Sequence, residues 1–524
     1  MNHQTDLEYV ALSYVWGRNN DFSTLTKGCL ELPTLLPRVI EDAILVTLSL
    51  GYRFIWIDRY CIDQYDASNK HEQIMHMDSI YQWAALTIIA AAGTDDTYGL
   101  PGVSRRRSPR QWSFTRDDFS ITSTLPSPQS PIRESRWAAR GWTYQEAVLS
   151  TRRLVFTDDQ LYFECNSMGI YESLQVSWDA YYSNSRPYLK EFLKPTLFSF
   201  HQTALALNSC HPPLEFRNFI TYTRCAEQYS RRLLSFDSDS LNAFGGIIRR
   251  LEMAETSPVY HVWGVPFIHQ AYKENKDALH TELPRSSSSL IPSFHRVRHL
   301  HDPEQGRCIE SLVIGLSWCH SESAVSPRRR ARFPSWSWVG WEGAVVWPTV
   351  LQDSPVQKFE WNYTTTYEPE TWPVNIPQCS NIRSSEGPRT ILYFDNHKEI
   401  LSETDAATHG SNQLQHPRIL CIEAATMSRN ALVLRDNPQR LCISSGGVVM
   451  LYPSKKGLTV PRVFLGIQGG WYVAIRLATI GDSSYLMLVE LDGQVGYRIG
   501  TLVVRGRRLS SRLFRSDIMT YRIV

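Results

Sequence analysis

The chain has 524 residues, which at about 150 residues per domain corresponds to roughly three domains. Hydrophobic residues make up 43% and aromatic residues 12% of the composition, so the chain can bury a core, and disorder of the whole chain is excluded. The 54 basic and 52 acidic residues leave a net charge of +2, which argues against a nucleic-acid partner, because such proteins carry a marked basic excess.

The first part of the chain alternates between strand-like and helical patterns. Apolar runs at residues 9–16, 52–57 and 86–92 predict strands. Strands without polar alternation, separated by helices, indicate a parallel sheet that is covered on both faces. The sequence therefore predicts an α/β domain. Its other predicted elements are helices over residues 37–50, 70–84 (capped by Ser68 or Asn69) and 142–149, and strands at 154–157 and 161–165.

The middle of the chain, from about residue 170 to 345, has a mixed, mainly helical pattern that ends in a tryptophan-rich stretch, FPSWSWVGW at residues 333–341. Alternation there places Trp336 and Trp338 on one face of a strand. Burial in a core is the expected use of that face. Helices are predicted over residues 216–234 and 240–251.

After about residue 390 the sequence changes to short β-branched runs separated by Gly, Asn and Asp, which predicts an antiparallel β module. The preceding residues 346–390 are rich in Pro, Thr and Ser and are typical of a linker or an irregular β edge. Strands are predicted at residues 390–394, 419–422, 431–434, 448–452, 471–477, 484–491 and 500–504. The predicted domains are residues 1–168, 169–345 and 346–524.

Several patterns argue against metal and cofactor sites. His71 and His76 are five residues apart, which on a helix separates them by about 140°, so they cannot share a metal ion. No GxxxxGK[ST], GxGxxG or GxSxG motif is present, so no cofactor is expected. The ten cysteines form no CxxC pair, no signal-peptide pattern is visible, and no apolar run reaches the roughly 20 residues of a membrane span. These features predict a cytoplasmic protein without a membrane span.

Polar residues follow the predicted strands of the α/β part. In an open parallel sheet, ligands bind at the carboxyl ends of the strands, and these ends carry residues 13–17, 58–59 and 93–95 here. Farther on, Trp142 and Glu146 are four residues apart and therefore share one face of the predicted helix. On the residues alone, a core tryptophan and a surface or capping carboxylate are the more ordinary roles for this pair.

Three blocks in the same part of the chain resemble a known family. They are residues 9–17 (YVALSYVWG), 55–64 (IWIDRYCIDQ) and 140–146 (RGWTYQE), and in this order they resemble the three signature blocks of the fungal heterokaryon incompatibility (HET) domain. Residues 73–93 also resemble the helix and strand of that family, and the resemblance covers about residues 8–165. Family members usually carry some chain ahead of the first block, so the resemblance implies either a late predicted start or a short member.

The resemblance implies a role in non-self recognition (allorecognition), in which HET domains trigger growth arrest or programmed cell death. Because HET domains resemble TIR domains, it also implies a TIR-like, flavodoxin-like parallel sheet with flanking helices. Trp142-x-x-x-Glu146 is similar to the tryptophan–glutamate motif of TIR domains, and in those that hydrolyse NAD this glutamate is catalytic. The resemblance thus implies Glu146 as the catalytic residue and Trp142 as the packing residue beside it. The implied ligand-binding residues are Ser13, Trp16 and Gly17 at the mouth and Asp58 or Arg59 against ribose or phosphate.

Three mechanisms remain open at this point. The first is an enzyme that consumes NAD as its substrate, with Glu146 as the catalytic carboxylate. The second is a non-enzymatic signalling scaffold that acts by homotypic assembly, as a homo-oligomer or with other incompatibility or immune-receptor-like proteins. The third is an accessory protein of a specialised pathway. The middle and C-terminal regions are expected to regulate the N-terminal domain or to sense a partner.

Overall fold

A computed structural model places the chain in two compact units, residues 1–211 with 232–250 and residues 212–231 with 251–524. The division into three domains stays a prediction. The residues that the structure describes are 7–17, 32–107, 111–117, 119–174, 193–195, 197–198, 214–268, 311–312, 314–321, 327–347, 391–395, 419–424, 426–434, 441–444, 448–480, 483–505, 513–514 and 519–524. The predicted linker after residue 347 lies outside them, as far as residue 390.

The first 174 residues contain eight strands and six helices in the part that the structure describes. In chain order they are β1 (Tyr9–Ser13), α1 (Arg38–Ser49), β2 (Phe54–Trp56), α2 (Asp58–Cys61), α3 (Ala67–Met75), α4 (Met77–Trp83), β3 (Leu86–Ala90), β4 (Ser113–Arg116), β5 (Phe119–Thr122), α5 (Gln129–Glu134), α6 (Thr143–Leu149), β6 (Arg152–Phe156), β7 (Leu161–Cys165) and β8 (Gly169–Tyr171). The hairpin of β4 and β5 and the helix α5 lie in the insert between β3 and α6.

The central sheet of the first unit has the strand order β2-β1-β3-β6-β7-β8. β1 runs parallel to both β2 and β3, and β3 runs parallel to β6. The last two strands are antiparallel to their neighbours. The predicted α/β class with a parallel sheet is therefore confirmed, and the sheet has an antiparallel edge in addition.

Side-chain alternation along β1 decides which residues face which helices. Val10 and Leu12 pack with α1 in one buried cluster, whereas Ala11 packs with α4 in a separate cluster. Ser13, two residues after Ala11, therefore lies on the face that α4 covers, because side chains two apart in a strand share a face.

The predicted helix over residues 70–84 is wrong in one respect, because it is two helices that meet at His76. The first helix also begins earlier than predicted. The Asp66 carboxylate accepts hydrogen bonds from the amide nitrogens of Ser68 and Asn69 at 2.9 and 3.0 Å. Asp66, and not Ser68 or Asn69, is thus the N-cap of α3.

Residues 214–524 contain further helices and strands in their described parts. These are α7 (Leu214–Tyr229), α8 (Asp239–Asn242), α9 (Gly245–Glu252), β9 (Val259–Val262), β10 (Val265–Ile268), β11 (Cys319–His320), β12 (Arg328–Arg329), β13 (Trp341–Glu342), β14 (Val345–Val346), β15 (Ile391–Asp395), β16 (Ile419–Ala424), β17 (Leu432–Leu434), β18 (Leu441–Ile443), β19 (Val448–Pro453), α10 (Val460–Gly469), β20 (Tyr472–Ile480), β21 (Ser483–Asp492), β22 (Val495–Arg505) and β23 (Met519–Ile523). Short 3₁₀ turns cover Trp338–Gly340 and Arg429–Ala431.

The second unit is rich in β structure, as predicted. Strands β15 to β23 form one sheet of nine strands, with antiparallel pairing except between β22 and β23. Helix α10, which the sequence did not predict, packs on this sheet through Val463 and Ile467. No helix in the described part of the chain is both long and apolar enough to span a membrane.

The tryptophan-rich stretch is buried but is not a strand. Trp336 and Trp338 are buried as predicted, yet the backbone there forms turns and the 3₁₀ turn that begins at Trp338. The indole nitrogen of Trp341 donates to the carbonyl of Ser335 at 2.8 Å, and that of Trp338 donates to the carbonyl of Gly264. Because each indole needs a polar partner when buried, these bonds favour a turn over the regular alternation of a strand.

Candidate functional site

A chain of buried hydrogen bonds joins the end of β1 to helix α6. The Ser13 hydroxyl donates to Glu146 Oε2 at 2.5 Å and accepts from the indole nitrogen of Trp137 at 2.7 Å. All three side chains are buried, and Glu146 is only 5% exposed. The fold thus brings together Ser13 and Glu146, two of the predicted site residues.

The environment of Glu146 favours its protonated form. Burial raises the pKa of this carboxyl from 4.5 to about 7, and the hydrogen bond from Ser13 and the polar hydroxyl of Tyr81 oppose only part of that shift. The negative charge of Asp58 raises the pKa further, whereas the positive charge of Arg140 lowers it. A carboxyl with a pKa near 7 exchanges its proton near neutral pH, which is the property of a catalytic acid or base.

A second carboxyl, Asp58, lies at the end of the neighbouring strand β2. Its Oδ2 accepts a hydrogen bond from the Trp16 indole at 2.9 Å, and its Oδ1 accepts one from the amide of Arg59 at 2.7 Å. Burial raises the pKa of Asp58 from 3.8 to about 6, although both hydrogen bonds lower it. Trp16 and Asp58, both predicted site residues, are therefore in direct contact.

Asp96, a residue that the sequence analysis did not single out, lies against both Arg59 and Gly17. Arg59 Nη1 lies 3.0 Å from Asp96 Oδ2, and the two side chains are 10% and 6% exposed. A Cβ atom added to Gly17 would lie 2.1 Å from Asp96 Oδ1. Glycine is therefore required at position 17 by the close approach of Asp96, which is itself held by Arg59.

Replacing Gly17 with alanine is expected to lower the free energy of unfolding by about 1–3 kcal/mol, the usual cost of overpacking a filled site. The added methyl group must displace Asp96 and so disturb its ion pair with Arg59. Urea denaturation of the full chain measures the change. Gly245→Ala is the matched control, because a Cβ atom added there meets only the flexible end of the Arg249 side chain, at an ordinary 3.4 Å. Equal stabilities of the two variants would contradict the prediction.

The indole nitrogen of Trp142 takes no part in the hydrogen bonds described around Ser13. Its indole nitrogen donates to Asp239 Oδ2 at 3.1 Å, and its ring packs with Met77 and Tyr81 against the α4 face of β1. These contacts are those of a packing residue, the role that the family motif implies for it. A direct contact of Trp142 with a ligand stays a prediction.

Sequence reasoning did not name Trp137, Tyr81 or Asp96 as site residues. Tyr81 lies in the helix predicted over residues 70–84, and Asp96 comes one residue after residues 93–95, which follow the third predicted strand. Trp137 carries no comparable signal, since it lies in a segment of turns ahead of α6. Only the fold places its indole against Ser13, 124 residues away in the sequence.

The hydroxyl of Tyr14 is a further polar group at these strand ends. Tyr14 is 3% exposed, and its hydroxyl has no hydrogen-bond partner among the residues that the structure describes. The charges of Asp58, Arg59 and Asp96 all act on it, and burial raises its pKa well above the usual value. A buried hydroxyl without a partner is uncommon in folded proteins, which makes this one a candidate contact for a bound molecule.

Comparison with known proteins gives one match. Residues 9–146 match the family described as heterokaryon incompatibility protein (HET). No curated protein and no solved structure matches the chain significantly. The match begins at the first residue of β1 and ends at Glu146, so it contains all the predicted site residues. Residues 9–146 of this chain are therefore a heterokaryon incompatibility (HET) domain.

Proposed function

We propose that this protein is a cell-death effector of fungal non-self recognition, and that its HET domain hydrolyses the bond between nicotinamide and ribose in NAD. The HET domain indicates a role in heterokaryon incompatibility in general. The reaction and its outcome for the cell are the proposal. The observation that carries it is the buried Glu146 carboxyl, with a pKa raised to about 7, beside Ser13 at the end of β1.

The position of this carboxyl supports a ligand site. β1 lies between β2 and β3, both parallel to it, so the chain leaves β1 toward one side of the sheet and later reaches its other side. In open α/β sheets, ligands bind outside the carboxyl ends of the strands at such a switch point. Ser13 is the last residue of β1, and Asp58 follows the end of β2.

The charge of NAD fits the state of Glu146. The nicotinamide ring of the oxidised cofactor is a cation, and a cation close to a carboxyl lowers the pKa of that carboxyl. Arrival of the substrate would therefore ionise Glu146 at neutral pH. The carboxylate could then stabilise the positive charge that develops on the ribose as the bond to nicotinamide breaks, as carboxylates do in glycoside hydrolysis.

The second carboxyl provides a contact for the sugar. Asp58 is half-buried and bound to the Trp16 indole, so its oxygens are held in place for the hydroxyl groups of a ribose. The unpartnered Tyr14 hydroxyl at the same strand ends offers one further polar contact. The resemblance of Trp142-x-x-x-Glu146 to the motif of TIR domains supports the same assignment of Glu146 as the catalytic residue.

Intracellular NAD after induced expression of the full chain tests the proposal. NAD is expected to fall with the parent protein and to stay constant with Glu146→Gln, because the amide cannot carry the negative charge. Glu134→Gln is the matched control, since Glu134 is an exposed carboxylate at the end of α5, and it is expected to behave like the parent. Cell death with NAD unchanged in all three strains would refute the enzyme.

The second candidate is a scaffold that acts by homotypic assembly. It is favoured by exposed apolar side chains on α1, at the residue that follows it and on β2, which is the outer strand of the sheet. These side chains are Leu45, Leu48, Leu50 and Phe54. In this case death would survive Glu146→Gln and would be lost when Leu45 and Leu48 are replaced by charged residues.

A further inference from the structure

The second unit contains a cavity that the HET domain does not explain. Its volume is about 560 Å³, within the range of roughly 300–1,000 Å³ that is usual for small-molecule sites. Residues from β12 and β13 line it, together with the chain after β19 and the first half of β22. All of its lining residues belong to the part of the chain that the structure describes.

The lining of this cavity is strongly basic. Five cationic residues contribute to it, against one carboxylate, Glu490; they are Arg328, Arg329, Lys455, Lys456 and Arg498. Lys455 is paired with Glu490 at 2.6 Å, and Arg328 is paired with Glu342 at 2.6 Å. Lys456 is exposed and makes no ion pair with any residue that the structure describes. The cavity therefore holds an excess of positive charge.

Arg498 is the most unusual member of this group, because its side chain is fully buried. Its Nη1 donates to the carbonyl of Leu316 at 2.8 Å, and its Nη2 donates to Thr501 Oγ1 at 2.8 Å. Its guanidinium carbon also lies 3.7 Å from the centre of the Trp318 ring. Among the described residues no carboxylate pairs with it, and its Nε has no hydrogen-bond partner. A buried cation without an anion is costly, so a bound anion would stabilise this arrangement.

Two aromatic side chains line the same cavity. Trp341 is buried beneath the guanidinium of Arg329, whereas Tyr497 is 39% exposed. An exposed tyrosine ring at the edge of a basic cavity offers a flat surface for a planar ring of a ligand. The net charge of the whole chain is only +2, which argues against an extended nucleic-acid surface. The local excess of positive charge in the cavity instead suits a small anion.

We propose that this cavity binds a small phosphorylated molecule with a planar ring, of the nucleotide class. The phosphate lies against Lys456 and Arg498, and the ring stacks on Tyr497. The site belongs to the β-rich unit, whereas Ser13 and Glu146 belong to the first unit. It is a ligand sensor in the region that the sequence predicts to be regulatory.

Isothermal titration of the full chain with ADP tests the site, with ribose 5-phosphate, adenosine and inorganic phosphate as comparison probes. ADP is expected to bind saturably and more tightly than each of the other three. No saturable binding of ADP, or equal binding of adenosine, would overturn the proposal. Inorganic phosphate that binds as tightly as ADP would overturn the assignment to the nucleotide class.

Two variants locate the binding. Lys456→Glu is expected to weaken ADP binding by about tenfold or more, because it replaces a charge-assisted contact with a repulsive one. Arg462→Glu is the matched control, since Arg462 is an exposed cation on α10 outside the cavity. Arg498→Lys, which keeps the charge and removes Nε, is expected to weaken binding as well. Unchanged affinity in Lys456→Glu, or an equal loss in the control, would overturn the proposal even where Arg498→Lys fails to fold.

Discussion

The Glu146→Gln variant is expected to be more stable than the parent protein above pH 7, by about 3 kcal/mol in the free energy of unfolding. Burial raises the pKa of Glu146 from 4.5 to about 7, and each pKa unit corresponds to about 1.4 kcal/mol. Since the side chain is almost fully buried, solvent screens little of this energy. Glutamine keeps an oxygen that accepts from Ser13 and has no proton to lose.

The sign of the pH dependence follows from proton binding. Because the pKa is higher in the folded than in the unfolded state, the folded parent holds the proton between about pH 4.5 and 7, where the unfolded chain has lost it. The free energy of unfolding of the parent therefore falls as the pH rises through this window, and the contribution is fully lost above it. The difference between Glu146→Gln and the parent should grow from near zero below pH 4.5 to its maximum above pH 7.

Urea denaturation of the full chain at pH values from about 4 to 9 measures this difference. Glu134→Gln is again the control, because it makes the same chemical change at an exposed position at the end of α5. A Glu146→Gln curve parallel to that of the parent would contradict the raised pKa. A carboxyl that destabilises the fold when it is ionised is typical of a functional site, because glutamine would fill a purely structural role better.

The sequence was sufficient to predict the α/β unit because its strands are continuous apolar runs. Three such runs became β1, β2 and β3 within a few residues of the predicted ends. The β-rich character of the last part was equally clear from short β-branched runs. By contrast, the apolar residues of α10 carry no distinct helical signal beside a proline and two glycines, and packing on the sheet decides their conformation.

The sequence names residues that the fold brings together, but it does not predict the contacts between them. The HET blocks pointed to Ser13 and Glu146, yet the hydrogen bond between them joins residues 133 positions apart. A contact of Arg59 with ribose or phosphate stays a prediction, and the sequence did not indicate the ion pair that Arg59 forms with Asp96. A fully buried Arg498 inside a strand could not be predicted either, since arginine is normally exposed and its carbonyl partners come from distant segments.

The Arg59–Asp96 pair is expected to contribute far more to the free energy of unfolding than a surface ion pair does. Both side chains are at least nine-tenths buried and lie 3.0 Å apart, so removal of one leaves the other as a buried, unpaired charge. Arg59→Met and Asp96→Asn should each lower the free energy of unfolding by about 3–5 kcal/mol. The double variant should cost clearly less than their sum, since no unpaired charge remains, with a coupling energy of about 2–3 kcal/mol.

A double-mutant cycle by urea denaturation measures this coupling energy. The exposed pair of Arg38 and Glu41, 3.5 Å apart on α1, serves as the control and should show a coupling energy below about 1 kcal/mol. Additive losses for Arg59→Met and Asp96→Asn would mean that the two charges are stabilised by other groups. A large coupling energy would instead mean that the charge of Arg59 is balanced by Asp96, which lies against Gly17. In that case Asp58 and the Tyr14 hydroxyl are the groups at this edge that remain for the sugar of the substrate.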